Sequence, residues 1–141
     1  MSLCKGAVIA AAAIALSASG AHAQATLPAP THGPVGERLG VIDLAKAFPQ
    51  MQGYELRLSR LTIAPGAGLT LHSHKAMPEI VYIVSGHLTE QRNGGAPVVY
   101  GPGSTLINDE TVTHTVLNQT NEPVIYIGTH VSKPQAPPPK F

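Results

Sequence analysis

Residues 66–86 read GAGLTLHSHKAMPEIVYIVSG, and this stretch decides the fold. Two runs rich in apolar and β-branched residues lie on either side of Pro78, and glycines stand at both ends. Runs of this composition are typical of strands, whereas proline has no N–H to donate and interrupts a strand. The stretch therefore predicts two consecutive strands, one over 69–72 and one over 79–84, joined by a turn at Pro78.

Three side chains in this stretch have metal-binding chemistry. On a strand, His72 and His74 point to the same side and lie roughly 6 to 7 Å apart, so both can reach an ion bound about 2.0 to 2.1 Å from each ring nitrogen. Glu79 begins the second apolar run, where an ionised carboxylate is costly unless it is paired or coordinated. Together with the later His114, these residues predict a single metal site.

The spacing of these residues between two glycines resembles the first motif of the cupin superfamily. The sequence has Gly66, five residues, His72-x-His74, four residues, Glu79, six residues and Gly86. A histidine pair and a glutamate that all stand in register between two glycines make this a specific match.

The second cupin motif is present in part. It runs from Gly103 through five residues to Asp109-x-Thr111, then two residues to His114 and three residues to Asn118. The family usually has a proline and a glycine where this chain has Asp109 and Thr111. We therefore expect the turn before His114 to be built differently, with His114 kept as a ligand.

The resemblance covers about residues 52–131 and implies an all-β, single-domain cupin, that is, a double-stranded β-helix with a jelly-roll-like barrel. It also implies that four side chains hold one divalent transition metal: His72, His74, Glu79 and His114. Nitrogen and oxygen donors without sulfur suit Fe, Mn, Ni, Cu or Zn, and the order of affinities does not choose among them.

The rest of the chain supports a fold of many short strands. Mainly apolar residues alternate with polar residues over 54–60. Runs of β-branched or aromatic residues follow at 98–100, 105–107, 113–117 and 124–131, and turns that contain glycine, proline or asparagine separate them. This pattern is typical of a sandwich or barrel. Before it, Asp43 can cap a helical turn over 44–48, and an arm strand pairing with a neighbouring subunit is an equal alternative.

Both ends of the chain differ in composition from this central part. Lys5, the apolar residues 6–16 and Ala21-His22-Ala23 predict a signal peptide over 1–23 that is cleaved before Gln24, so we expect a periplasmic or secreted protein with no membrane attachment after cleavage. An N-terminal arm is predicted at 24–51, the cupin barrel at 52–131 and a Pro-rich C-terminal tail at 132–141. Loss of Lys5 leaves eight basic and eight acidic residues, so we expect no nucleic-acid partner.

Substrate contacts are less well defined by the sequence. If residues 54, 56, 58 and 60 share one strand face and Arg57 lies on the other, either Arg60 or Arg57 faces the barrel. An inward arginine would suggest an anionic substrate. Tyr82 is a further candidate for donating a hydrogen bond to a substrate.

The leading functional hypothesis is a metal-dependent enzyme of dioxygenase type acting on a small organic molecule. In this hypothesis Glu79 is a ligand that acts as a base when it detaches. The alternatives are a metal-dependent lyase or isomerase, and a non-catalytic cupin that binds a metal or a small-molecule ligand. The resemblance also implies a homodimer, with the arm before residue 52 as a candidate exchanged element.

Overall fold

The computed structural model describes residues 26–133. The predicted signal peptide and all but the first two residues of the predicted tail lie outside the described residues. Among the described residues, no helix is long and apolar enough to cross a membrane. The described chain forms nine strands, β1 Val35–Asp43, β2 Glu55–Ile63, β3 Gly68–Ser73, β4 Glu79–Ser85, β5 Leu88–Arg92, β6 Val98–Tyr100, β7 Thr105–Asn108, β8 Thr113–Leu117 and β9 Val124–Ser132, and two 3₁₀ helices, Leu44–Lys46 and Pro49–Met51.

The strands form two antiparallel sheets that enclose one core. The first sheet has the order β1-β2-β9-β4-β7 and the second has the order β3-β8-β5-β6. Both sheets contribute fully buried side chains to a single cluster, including Ile63, Ile83 and Val124 from the first sheet and Leu88 and Val116 from the second. This arrangement confirms the predicted all-β cupin fold, a double-stranded β-helix of jelly-roll type.

Strand alternation determines which side chains face the core. In β4, Val81 and Ile83 are buried, whereas Ile80, Tyr82 and Val84 are exposed. Glu79 has the same parity as Val81, so it begins the strand on the core-facing side. The strand that was predicted over 79–84 therefore presents one carboxylate to the barrel interior.

The register between β3 and β8 brings two of the predicted ligands together. His72 and His114 are direct antiparallel partners, and Ser73 is paired with Thr113. Side chains of directly opposed residues lie on the same face, about 4.5 to 5.5 Å apart at Cβ. The pairing of these two strands therefore places both imidazoles on one side of the second sheet.

The region predicted as an arm contains a strand of the first sheet. Val35–Asp43 pairs antiparallel with β2 of its own chain, with an irregularity between Arg38 and Gly40. The helical turn predicted after Asp43 is the 3₁₀ helix Leu44–Lys46, where the Asp43 carboxylate accepts a 3.0 Å hydrogen bond from Ala45 N. The capped turn is thus present, and the preceding strand pairs within its own chain; pairing of this region with a neighbouring subunit stays a prediction.

Candidate metal centre

Three histidine side chains converge at one end of the barrel. The Nε2 atoms of His74 and His114 lie 2.9 Å apart, and those of His114 and His72 lie 3.1 Å apart. One ligand atom from each histidine lies within 4.8 Å of the others. His74 and His114 are almost completely buried, whereas His72 is partly exposed. The structure thus assembles three of the four residues that the sequence predicts as ligands.

Hydrogen bonds to the backbone determine which ring nitrogen of His72 and His74 faces the centre. His72 Nδ1 lies 2.8 Å from Thr70 O, and His74 Nδ1 lies 2.9 Å from Met77 O. A carbonyl oxygen only accepts, so each Nδ1 carries a proton that it donates. Burial, opposed in part by these backbone hydrogen bonds, lowers the pKa of both histidines. In their neutral forms both rings therefore direct an Nε2 lone pair at the centre.

A buried carboxylate orients the third histidine. His114 Nδ1 lies 2.5 Å from Glu90 Oε1, and Glu90 is 2 % exposed. Arg92 donates to the same oxygen from Nη2 at 2.9 Å and also donates to Asn108 Oδ1 at 2.8 Å. Burial alone would raise the pKa of Glu90, but the hydrogen bonds from His114 and Arg92 outweigh it and lower the pKa. An ionised Glu90 accepts a hydrogen bond from His114 Nδ1–H and leaves His114 Nε2 facing the Nε2 atoms of His72 and His74.

The donor set fits a divalent transition metal. Two neutral Nε2 lone pairs cannot donate hydrogen bonds to each other, so those of His74 and His72, which lie 2.9 and 3.1 Å from His114 Nε2, repel it unless something positive lies between them. A cation that accepts nitrogen ligands satisfies all three at once. Each outer Nδ1–H already has an acceptor, which is the arrangement that accompanies metal-bound histidines.

Glu79 lies beside this cluster and is not one of its three members. Its side chain lines a cavity of about 20 Å³ together with His72 and His114, space for about one water-sized group. It also lies against Gly128, where an added Cβ would be 2.6 Å from Glu79 Oε1. Burial raises the pKa of Glu79, while Asn108 and His114 oppose the change. Its roles as a ligand and a base remain predictions.

The three candidate substrate residues occupy different places. Arg57 is half-buried, is ion-paired with Glu55 and lines an open groove. Arg60 is exposed and lies 3.4 Å from Glu37. Tyr82 is 51 % exposed on the outer face of β4. The structure therefore shows that Arg57, not Arg60, lies on the inward-facing side of β2. Neither Arg60 nor Tyr82 lies near the histidine cluster. A substrate role for any of the three stays a prediction.

Sequence reasoning missed the residues that support His114. Glu90 and Arg92 belong to β5, whose sequence LTEQR is polar, and Asn108 ends β7. The signal available in the sequence was strand alternation, which puts Leu88, Glu90 and Arg92 on one face and Thr89 and Gln91 on the other. A glutamate in line with a core leucine is expected to be buried and therefore to have a partner.

The turn before His114 is built differently, as its sequence predicted. Asp109 Oδ1 accepts hydrogen bonds from Thr111 N at 2.9 Å and from Thr111 Oγ1 at 2.6 Å. Val112 N donates to Asp109 O at 3.1 Å and closes the turn. An aspartate and a threonine thus form a hydrogen-bonded turn without the family's proline and glycine.

Comparison with known proteins gives one family. The profile described as Cupin domain matches residues 59–130. Among curated proteins, germin-like protein subfamily 3 member 1 of Arabidopsis thaliana is 27% identical over 78 residues, which cover 52% of this chain and 38% of that protein. Germin-like protein 1 of Brassica napus is 25% identical over 89 residues, which cover 60% of this chain and 43% of that protein. The chain thus spans less than half of the length of either relative.

Solved structures show the same fold at low sequence identity. A conserved protein with a double-stranded β-helix domain from Klebsiella pneumoniae has a TM-score of 0.55 at 15% identity, and the match covers 76% of this chain and 83% of that one. A Cupin 2 conserved barrel domain protein from Salinispora arenicola has a TM-score of 0.53 at 20% identity, covering 69% of this chain and 74% of that one. At these identities the likeness extends to the fold alone.

Proposed function

Because the chain belongs to the cupin domain family, we propose that it binds one divalent transition metal through His72, His74 and His114, with Glu79 as a fourth ligand. The convergence of three Nε2 atoms, each on a ring whose Nδ1 is hydrogen-bonded, is the observation that carries this proposal. Fe, Mn, Ni, Cu and Zn all accept this donor set.

We further propose that the protein is an enzyme of dioxygenase type acting on a small organic molecule. The ion would supply redox and Lewis-acid chemistry when bound. The chain's own residues have three roles around it. Glu90 holds His114 in one orientation, the apolar side chains of Val81, Leu106 and Val116 keep water from the barrel side, and Glu79, which lines the same cavity, would accept or return a proton.

Oxygen uptake separates this proposal from the alternatives. Protein loaded in turn with each of the five metals is offered small organic substrates in an oxygen electrode, with His72→Ala as the inactive comparison. Dioxygenase chemistry predicts substrate-dependent oxygen consumption with one metal and none in the variant. Substrate loss without oxygen consumption would identify a lyase or isomerase. Saturable ligand binding without any turnover would identify a binding protein.

We also propose that the chain is exported. The support is the pattern of residues 1–23, a basic residue, an apolar segment and an Ala-x-Ala site. Mass spectrometry of the protein from a periplasmic or culture fraction is expected to give a chain that begins at Gln24. A chain that retains Met1 and remains in the cytoplasmic fraction would refute export.

A further inference from the structure

An open groove of about 500 Å³ lies at the end of the barrel beside the histidines. Arg57 of β2 and His130 of β9 are antiparallel partners, and both side chains line it. Met77 lines it too, and Met77 O is the atom that accepts the hydrogen bond from His74 Nδ1. The groove and the histidine cluster therefore share a wall residue, and ligand-binding pockets of proteins commonly have this volume.

Arg57 has a hydrogen-bond donor in this region that no described residue accepts. One guanidinium nitrogen, Nη2, is paired with Glu55. Its Nε atom is buried and has no hydrogen-bond partner among residues 26–133. A guanidinium has N–H groups on three nitrogens in a fixed plane, so the pairing with Glu55 does not use Nε. Because this nitrogen has almost no accessible surface in the structure, a ligand oxygen in the groove satisfies it once the Arg57 side chain turns toward the groove.

The charges that line the groove are positive. Lys133 is exposed, and its Nζ lies 5.0 Å from the centroid of the Tyr54 ring, which is also in the wall. Glu55 offsets one charge through its pairing with Arg57, and no acidic side chain is among the residues that line the groove. The remaining positive charge attracts an anion, and the side chains of Ala76 and Met77 add apolar surface.

We propose that this groove binds the carboxylate of a small organic acid, with one carboxylate oxygen accepting a hydrogen bond from Arg57 Nε. Lys133 supplies a second cation, and the apolar part of the acid lies against Ala76 and Met77. Arginine suits a carboxylate because its planar donors match the carboxylate oxygens, whereas lysine acts as a point charge. The assignment of this acid as the substrate rests on the proposed function, but binding of the acid does not require the metal.

The test measures binding of acetate, butyrate, succinate and benzoate by calorimetry, each compared with its neutral amide. The full chain is used as purified and again after treatment with a chelator. The variants are Arg57→Lys, which keeps the charge and removes Nε–H, and Lys133→Gln. Their controls are Arg38→Lys and Lys46→Gln, at exposed positions away from the groove. The ¹⁵N signal of Arg57 Nε, assigned by its loss in Arg57→Lys, reports contact directly.

The proposal predicts saturable binding of at least one acid and none of its amide. Arg57→Lys weakens binding about tenfold, Lys133→Gln weakens it severalfold, both controls bind as the parent does, and the Arg57 Nε–H signal shifts on titration. Equal binding of acid and amide, unchanged affinity in Arg57→Lys, or no binding of any of the four acids would overturn it. Acid binding that persists in a chain unable to bind any metal would refute the proposed function and leave this inference intact.

Discussion

At the residue scale, the acceptor bonded to each Nδ1 determines what the histidine cluster can bind. Two of these acceptors are backbone carbonyls, so no side-chain substitution removes them directly. The third is the Glu90 carboxylate, which is 2 % exposed and is also bonded to Arg92. Glu90 is thus the one place where the orientation and basicity of a ligand depend on a replaceable side chain.

Glu90→Gln is expected to weaken metal binding by about 10- to 100-fold, because a neutral amide is a poorer acceptor for the His114 Nδ1–H than a carboxylate. Competition with a chelator of known affinity gives the metal dissociation constant. The ¹⁵N shifts of His114 report its tautomer, which a general loss of stability would not change. Glu37→Gln, at an exposed acidic residue on β1, is the matched control. An unchanged dissociation constant together with an unchanged tautomer would show that Glu90 has no positioning role.

The choice between Arg57 and Arg60 belongs to the residue scale as well, and the sequence could not make it. Alternation along β2 shows that the two residues face opposite sides, but not which side is the inside. The pairing of β2 with β9 decides this, because it aligns Arg57 with His130 and Arg60 with Ile127. Those partners lie about 70 residues away in the sequence, and no local pattern identifies them.

At the level of elements, the strands that carry strong local signals were predictable. The runs at 98–100 and 113–117 coincide with β6 and β8, and the run at 124–131 is one residue short of β9. These runs are β-branched or aromatic and are bounded by turn residues. Strand β5 was missed because two of its three buried residues, Thr89 and Glu90, are polar, and their burial depends on pairing with β8 and on the contact with His114.

The turn between β8 and β9 depends on one asparagine. Asn118 is fully buried, and its Nδ2 donates to Ile63 O at 2.9 Å and to Glu122 O at 2.8 Å. Its Oδ1 accepts hydrogen bonds from Thr120 N at 2.9 Å and Thr120 Oγ1 at 2.7 Å. The side chain joins the turn to the end of β2, so its role is structural.

Asn118→Ala is therefore expected to lower the free energy of unfolding by at least about 2 kcal/mol, because buried carbonyls lose their donors. Urea denaturation followed by circular dichroism measures this change. Asn121→Ala, at an exposed position in the same turn, is expected to stay within about 0.5 kcal/mol of the parent. Equal midpoints for the two variants would contradict this account of the turn.

A substitution in strand β9 can test whether Glu79 is a metal ligand without replacing Glu79 itself. An added Cβ at Gly128 would lie 2.6 Å from Glu79 Oε1 and 3.4 Å from a Tyr126 ring carbon, so the flexible carboxylate has to move. If Glu79 is a ligand, Gly128→Ala weakens metal binding, and adding it to Glu79→Ala causes no further loss, since both changes remove the same contact. Chelator competition on the three variants measures this. Parent-like affinity in Gly128→Ala and Glu79→Ala would remove Glu79 from the ligand set.

On the scale of the whole molecule, many large apolar side chains remain exposed. On β1, Val35 is 75% and Ile42 is 58% exposed, and outside it Leu71 and Ile107 are 69% and 62% exposed. Val35 and Ile42 lie on the edge strand β1, and exposed apolar groups on an edge strand are typical of surfaces that contact another protein. They support the homodimer that the cupin resemblance implies.

We expect the chain without its predicted signal peptide to sediment as a dimer, and the same chain lacking residues 24–50 to sediment as a monomer, because the deletion removes β1. Analytical ultracentrifugation at several concentrations gives both masses. Circular dichroism of the truncated chain verifies that the remaining sheet is folded. A dimer of unchanged stability after the deletion would remove this segment from the interface.

The central claim for the whole molecule is that three histidines hold one metal ion: His72 and His114 from the paired strands β3 and β8, and His74 from the connection that follows β3. Elemental analysis of the protein purified from its own cellular compartment tests it directly, alongside His74→Ala, His72→Ala and the exposed control His87→Ala. The account predicts about one equivalent of a single transition metal in the parent and in His87→Ala, and loss of that metal in the other two variants. Metal content that is the same in all four proteins, or absent from the parent even after each candidate ion is supplied, would contradict it.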